Sequence, residues 1–426
     1  MLLADVALPV PLSRPFAYEV PSALAGRVEA GARVTCPFGA RRVVGVVVGV
    51  REGEPPPRVK AIASVVGDEP AVPADLLAFL KDLSQYYLAP IGEVLRLALP
   101  PVEKQVAQEL AEPTLFGGKA KGVGGRKVQW VSAGAPGGGE GQGEHDPETE
   151  GNGRREAGRL NPRAHAIVTH LRAVGTLPLA RLEERWPGAR GAVKKLLESG
   201  LVAVEERELP ADPFFAEPIA RDVPPALTDA QSAAVQAITD ALRESRAATF
   251  LLHGVTGSGK TEVYLHAIAA ARQAGIGVVV LVPEIALTPQ LVARFRARFG
   301  DDVAVLHSGL TARERHAMWS RLHAGRVDVV IGARSALFAP VRKLGLVVVD
   351  EEHDGSFKQE EGVRYNARDM AILRTHRAGG VCVLGSATPS LETEHLARSG
   401  KATKLVLPDR ARMQTMPRVE IVNLRL

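Results

Sequence analysis

From position 226 onward, short runs of consecutive apolar residues alternate with stretches of helical spacing. The runs cover 249–252, 278–282, 303–306, 327–331, 346–349 and 381–384. Strands that are continuously apolar, rather than alternating, are buried on both faces. They predict a parallel sheet covered by helices over 226–426. Residues 1–100 have a different rhythm. A short run at 33–36 and a β-branched run at 43–50 predict a compact β-rich module. After the turn-rich Glu54-Pro55-Pro56-Pro57, residues Leu76, Leu77, Leu80, Leu83 and Tyr87 fall on one side of a helix over 75–88. Such a stripe packs a core.

Between these regions the pattern fades and returns. Residues 116–158 are rich in Gly, Glu and small polar residues with almost nothing to bury, which predicts a flexible linker or insertion. Order resumes at 160. Helical stretches at 164–173, 179–186 and 189–199 are followed by a turn into a strand at 200–205. Three short helices and a strand suggest a winged helix-turn-helix; a small three-helix packing unit fits the same pattern.

Composition changes this picture little. A chain of 426 residues is too long for one core, so about two to four domains are expected. The net charge of +5 and a pI near 9.2 lean weakly toward a polyanionic partner. The two cysteines, Cys36 and Cys382, are isolated and support neither a disulfide framework nor a zinc site. The N-terminus lacks a basic region followed by a long apolar segment, and the glycine-broken run at 43–50 is too short to span a bilayer. The expectation is a soluble, cytoplasmic protein without membrane contact.

Chemistry concentrates after the first apolar strand. Gly254-Val255-Thr256-Gly257-Ser258-Gly259-Lys260-Thr261 fits the phosphate-loop pattern at every fixed position. Glycines let several backbone N–H groups point at one anion, and a helix N-terminus adds partial positive charge. Lys260 is expected to reach the β- and γ-phosphates of ATP, and Thr261 to hold Mg²⁺. A second signal closes the strand at 346–349, in Asp350-Glu351-Glu352-His353. Carboxylates there lie at the edge where α/β sheets bind ligands. Asp350 is assigned to Mg²⁺ and Glu351 to polarising the attacking water.

Weaker motifs surround these two. Gly385-Ser386-Ala387-Thr388-Pro389 follows the strand at 381–384 with small hydroxyl residues. Thr288 and Arg334 leave strand edges, where each suits a phosphate of single-stranded nucleic acid or an ordinary helix start. Gln231 has an amide that matches the adenine edge; the alternative is a capped helix start at Thr228 or Asp229.

Together these residues resemble superfamily-two helicases. The runs 254–262, 283–288, 332–340 and 350–354 are similar to those of the PriA family of bacterial replication-restart helicases. The N-terminal run 7–12, with Pro15-Phe16 and Pro37-Phe38-Gly39, is similar to that family's DNA 3′-end-binding domain. The resemblance implies a multidomain chain. It would have a β-rich DNA-binding domain over 1–100, a linker over 101–159, a winged-helix domain over 160–210 and a first RecA-like P-loop ATPase lobe over 226–426. It further implies that Phe16, Gly39 and Lys60 grip a 3′ end. An acidic residue usually follows the phenylalanine, whereas Ala17 stands here. In the family's aromatic-rich loop, Phe357 and Tyr365 would stack on bases beside Lys358 and Arg364.

Implied partners are branched DNA with a 3′ end, single-stranded DNA, a single-stranded-DNA-binding protein and primosome proteins. The implied cofactors are ATP and Mg²⁺. The family also carries zinc, for which the chain offers no ligand cysteines. A second RecA-like lobe is not expected before Leu426, so the chain is expected to be either an N-terminal part of a longer product or a shortened homologue. The expectation is a 3′→5′ DNA helicase with little hydrolysis or unwinding in this polypeptide; the alternative is a non-catalytic fork-binding scaffold.

Overall fold

The computed structural model describes residues 1–99, 127–133, 161–208, 213–215 and 218–411. They divide into two units, one formed by Met1–Gly118 with Val223–Leu426 and the other by Lys119–Asp222.

The first unit begins with a six-stranded sheet: β1 (Leu2–Ala7), β2 (Phe16–Glu19), β3 (Arg33–Phe38), β4 (Arg41–Glu52), β5 (Lys60–Ala61) and β6 (Ser64–Val66). The order is β5-β2-β1-β4-β3-β6. All pairs are antiparallel except β2 with β5. The valine-rich β4 is long enough to pair with both β1 and β3. Its register against β1 slips between Asp5 and Val6, where a bulge curls the sheet. Ala4, Val6, Tyr18, Val34, Cys36, Val47 and Ile62 meet inside that curl. Sequence periodicity did not mark β1 or β2, because each is short and one is followed by a proline-rich turn.

Helices α1 (Ala74–Tyr86) and α2 (Ile91–Ala98) follow. The predicted leucine stripe of α1 is buried, together with Phe79. This helix packs against the parallel-sheet domain rather than serving the β-module alone. Phe79 stacks on Phe338 at 6.2 Å, and Asp82 forms an ion pair with Arg377. At the end of α2, the Ala98 carbonyl accepts from Trp319 Nε1 at 2.8 Å.

The second unit holds β7 (Lys127–Ala133), α3 (Pro162–Val174), β8 (Leu177–Pro178), α4 (Leu179–Arg185), α5 (Ala189–Glu198) and β9 (Val202–Glu208). Its three helices lie close to the expected positions. The strand β7 falls inside the segment expected to be a linker, and corrects that expectation for 127–133. It is the central strand of a sheet ordered β8-β7-β9. Val131 in it is fully buried among Ile167, Leu171, Leu182 and Leu196. One short strand between glycine-rich flanks is too brief a signal to outweigh the surrounding composition. The rest of the 101–159 assignment lies outside the described residues.

The parallel sheet comprises β10 (Ala248–Gly254), β11 (Gly277–Leu281), β12 (Val303–Leu306), β13 (Val329–Gly332), β14 (Leu344–Asp350), β15 (Val381–Ser386) and β16 (Thr403–Leu407). Their order is β12-β13-β11-β14-β15-β10-β16, and every pair is parallel. Six of the seven strands were expected. The missed one, β16, is an edge strand with one face open to water, so its apolar positions are interrupted. Helices α6 (Asp229–Arg243), α7 (Lys260–Gln273), α8 (Pro289–Phe299), α9 (Ala312–His323), α10 (Ala367–Arg377) and α11 (Leu391–Arg398) accompany the sheet. No described helix is long and apolar enough to cross a membrane.

Candidate functional site

Three adjacent strands, β14, β15 and β10, bring their carboxyl ends to one edge of the sheet. At that edge β10 ends in Gly254 and the phosphate loop turns into α7 at Lys260. Gly257 (φ 82°) and Gly259 (φ 80°) adopt left-handed backbone, which curls the loop back on itself. A Cβ on Gly259 would also collide with the amide nitrogen of Gln231. Lys260 is only 8% exposed, and its Nζ donates to the Gly254 carbonyl at 3.0 Å. Thr256 lies exposed on the loop, and Thr261 is partly buried in the first turn of α7. The Ser258 hydroxyl is buried without a hydrogen-bond partner in the protein. An orphaned hydroxyl inside a cradle of backbone amides fits an anion-binding loop.

Gln231 stands behind this loop. Its Oε1 accepts from the Thr228 N–H at 2.9 Å, completing a capping box at the start of α6. Its Nε2 donates to the Ser258 carbonyl at 2.8 Å. The amide expected to face adenine is therefore committed to a helix cap and to bracing the phosphate loop.

Asp350 ends β14 and accepts a hydrogen bond from the Tyr264 hydroxyl, 2.9 Å from its Oδ1. Burial pushes the Asp350 carboxyl above the usual range; the Tyr264 hydrogen bond opposes this, Glu351 adds to it, and Lys260 counters it. Glu351 follows with φ 47°, a rare backbone for a residue with a side chain, and so turns the chain sharply at the strand end. Its carboxylate lies 3.7 Å from His353 Nδ1. His353 in turn shares a 2.8 Å hydrogen bond with the Ser386 hydroxyl and lies 3.5 Å from Thr388 Oγ1. The acidic turn and the Ser-Ala-Thr turn thus form one network.

Sequence reasoning assigned no role to Glu352, the residue that ties the acidic turn to the helices α10 and α11. Its side chain is fully buried. It accepts from Ser390 N at 2.8 Å, Ser390 Oγ at 2.9 Å and Thr393 Oγ1 at 2.7 Å, with Arg368 Nη1 at 3.4 Å. A glutamate in an exposed-looking acidic run gives no warning of this; only the fold brings α10 and α11 to it.

Magnesium takes hard oxygen ligands, often one or two from protein and the rest from water and phosphate. The Thr261 hydroxyl and the Asp350 carboxylate, beside a phosphate cradle, fit that requirement. Among the described residues there is no group of three or more His, Cys, Asp or Glu able to hold a metal ion.

Candidate DNA contacts fall into two places. In the β-module, Lys60 Nζ lies 3.5 Å from the Gly39 carbonyl. Phe16 packs edge-on against Phe38 at 5.3 Å, so Phe16, Gly39 and Lys60 gather at one end of the sheet. Near the parallel sheet, the expected aromatic stackers are turned inward. Phe357 is 2% exposed and Tyr365 3% exposed, the latter edge-on to Phe338 at 5.1 Å. This corrects the expectation that both present open faces to bases. Large aromatic rings gain more from burial against apolar neighbours than from facing water. Lys358 and Arg364 remain exposed, and Arg364 Nε donates to the Glu360 carbonyl at 3.2 Å. Arg334 does not stand free at its strand edge. Its Nη1 donates to the Ser356 and Lys358 carbonyls at 2.9 and 3.2 Å, clamping this loop. Thr288 caps α8 by accepting from Leu291 N at 3.3 Å. The loop is also tied to the N-terminal module, because the Asn366 N–H donates to the Tyr87 hydroxyl at 3.0 Å.

Comparison with known proteins matches these parts separately. Residues 5–100 match the 3′ DNA-binding domain (3′BD) family, and residues 228–396 match the DEAD/DEAH box helicase family. Replication restart protein PriA of Bacillus subtilis (strain 168) is 33% identical over 459 residues, which cover 97% of this chain and 56% of that protein. The protein of the same name from Haemophilus influenzae is 34% identical over 436 residues, covering 100% of this chain and 54% of that one. That of Treponema pallidum is 47% identical over 198 residues, or 46% of this chain and 30% of the relative. The chain spans about half the length of the curated relatives that it matches along nearly all of its own.

Proposed function

We propose that this chain, which is PriA-like, carries the DNA-gripping and nucleotide-binding machinery of an ATP-dependent replication-restart DNA helicase. In this reading the β-module holds a 3′ end at a stalled or abandoned fork through Phe16, Gly39 and Lys60. The parallel-sheet domain is the first RecA-like lobe and uses ATP to drive movement 3′ to 5′ on DNA. The unit Lys119–Asp222 acts as a winged helix, and single-stranded-DNA-binding and primosome proteins are the partners.

One observation carries the reading. Lys260 and Tyr264 lie one helical turn apart on α7, and the second of them is hydrogen-bonded to Asp350 across two strand ends. A phosphate cradle and a carboxylate are thereby held at one edge. The backbone amides of 256–261 and Lys260 would bind and orient the triphosphate, and Glu351 would position the attacking water. Bound magnesium, held by Thr261 and Asp350, would neutralise charge on the phosphates.

The test is Mg·ATP binding by calorimetry together with DNA-stimulated ATPase, on the wild type and on Lys260→Ala. We expect the variant to lose at least about tenfold in affinity, or ~1.4 kcal/mol. No heat of association in well-folded wild type refutes the nucleotide reading. Binding with equal, background turnover in both proteins leaves a fork-binding scaffold. Forks with free or blocked 3′ ends test the β-module, and equal affinity for the two removes end recognition.

A further inference from the structure

The geometry points to Tyr264 as a positioning residue that fixes the Asp350 carboxylate for magnesium. The phosphate-loop pattern ends at Thr261, and nothing in it requires a tyrosine three residues later. Yet Tyr264 is among the largest fully buried side chains, and its hydroxyl donates to Asp350 Oδ1 at 2.9 Å. Because residues four apart share a helix face, α7 presents Lys260 and Tyr264 to the same edge of the sheet, the first at the end of β10 and the second at the end of β14. One residue would thus meet phosphate while the other meets the acid assigned to its metal.

The neighbouring strand is shaped for this contact. Gly385 in β15 pairs with Asp350 in β14. A Cβ on Gly385 would overlap the Tyr264 hydroxyl, come within 2.8 Å of Tyr264 Cζ and lie 3.4 Å from Asp350 Oδ1. Gly385 is therefore a gap that admits the phenol to the carboxylate. With Oδ1 held by a proton donor, the carboxylate cannot rotate freely, and its other oxygen has a defined direction. A hydrogen bond to a ligating carboxylate commonly changes metal affinity about 10- to 100-fold. Phenylalanine at 264 would keep the packed ring and lose only this constraint.

This inference rests on the nucleotide-site reading, so its test separates the two. The probe is a fluorescent ATP analogue, titrated with the full chain in excess EDTA and then with increasing Mg²⁺. For Tyr264→Phe we expect metal-free affinity within about threefold of wild type and a Mg²⁺ midpoint raised about tenfold or more. Gly385→Ala should raise the midpoint similarly by displacing the hydroxyl. The double variant should be no worse than either single one, since both changes remove the same contact. An unchanged Mg²⁺ midpoint in Tyr264→Phe overturns the proposal, as does an equal loss of metal-free and metal-dependent affinity, which would mark a packing role. Additive defects in the double variant overturn it too. Failure of the wild type to bind the analogue, or binding unaffected by Lys260→Ala, sinks the nucleotide reading instead.

Discussion

Removing the Glu352 side chain should be among the most damaging single changes in the parallel-sheet domain. The carboxylate is fully buried and accepts three hydrogen bonds of 2.7–2.9 Å from Ser390 and Thr393, with the Arg368 guanidinium at 3.4 Å. Glu352→Ala strips those donors at once. Arg368 keeps Asp369 at 2.9 Å and the Ser390 hydroxyl at 2.8 Å, so its charge is not wholly abandoned. The Ser390 N–H and the Thr393 hydroxyl lose their acceptor in a place that water does not reach easily. Breaking a buried ion pair from one side costs about 3–5 kcal/mol. In a domain of this size each kcal/mol shifts the melting temperature by about 2–4 °C, which gives a fall of roughly 10 °C. Glu352→Gln keeps an acceptor for the Ser390 N–H and loses the charge, so it should cost about 1–2 kcal/mol. Thermal unfolding followed by circular dichroism measures both. A Glu352→Ala protein melting within 2 °C of wild type, on the ~3–5 kcal/mol scale of a broken buried pair, would refute the reasoning.

Other expectations follow from single contacts. Burial pushes the Cys36 and Cys382 thiols up to about 12, so the native protein should not react with a thiol reagent at pH 8, and both thiols should react once it is unfolded. The same shifts make stability fall with pH. Unfolded thiols ionise near pH 9 and the native ones only near 12, and burial pushes the Tyr18, Tyr87, Tyr264 and Tyr365 hydroxyls up as well, so the denaturant midpoint should drop as pH rises above about 9. Gly259→Ala combines a left-handed backbone with a collision against Gln231, and should weaken Mg·ATP binding as well as lower the melting temperature. Trp319→Phe removes the donor to the Ala98 carbonyl and should cost about 1 kcal/mol, read as a lower denaturant midpoint.

The phosphate loop, the acid-tipped strand and the parallel sheet were all visible along the chain, because each is written in short-range terms. Glycines at fixed spacing set the turn at 254–261. Unbroken apolar runs demand burial on both faces and so a helix-covered sheet. Partner choice was not visible. Gln231 could serve adenine or a helix cap by its chemistry, and the fold spends it on Thr228 and Ser258. Phe357 and Tyr365 look like an open aromatic loop, but both are buried in the folded chain, Tyr365 edge-on against Phe338. Glu352 resembles its neighbours in an acidic run until α10 and α11 surround it, and Tyr264 is one apolar position in a helix until Gly385 opens a path to Asp350. Spacing along a chain controls backbone shape and which face is buried. Which group a side chain finally meets depends on segments tens or hundreds of residues away, and those meet only when the layers pack.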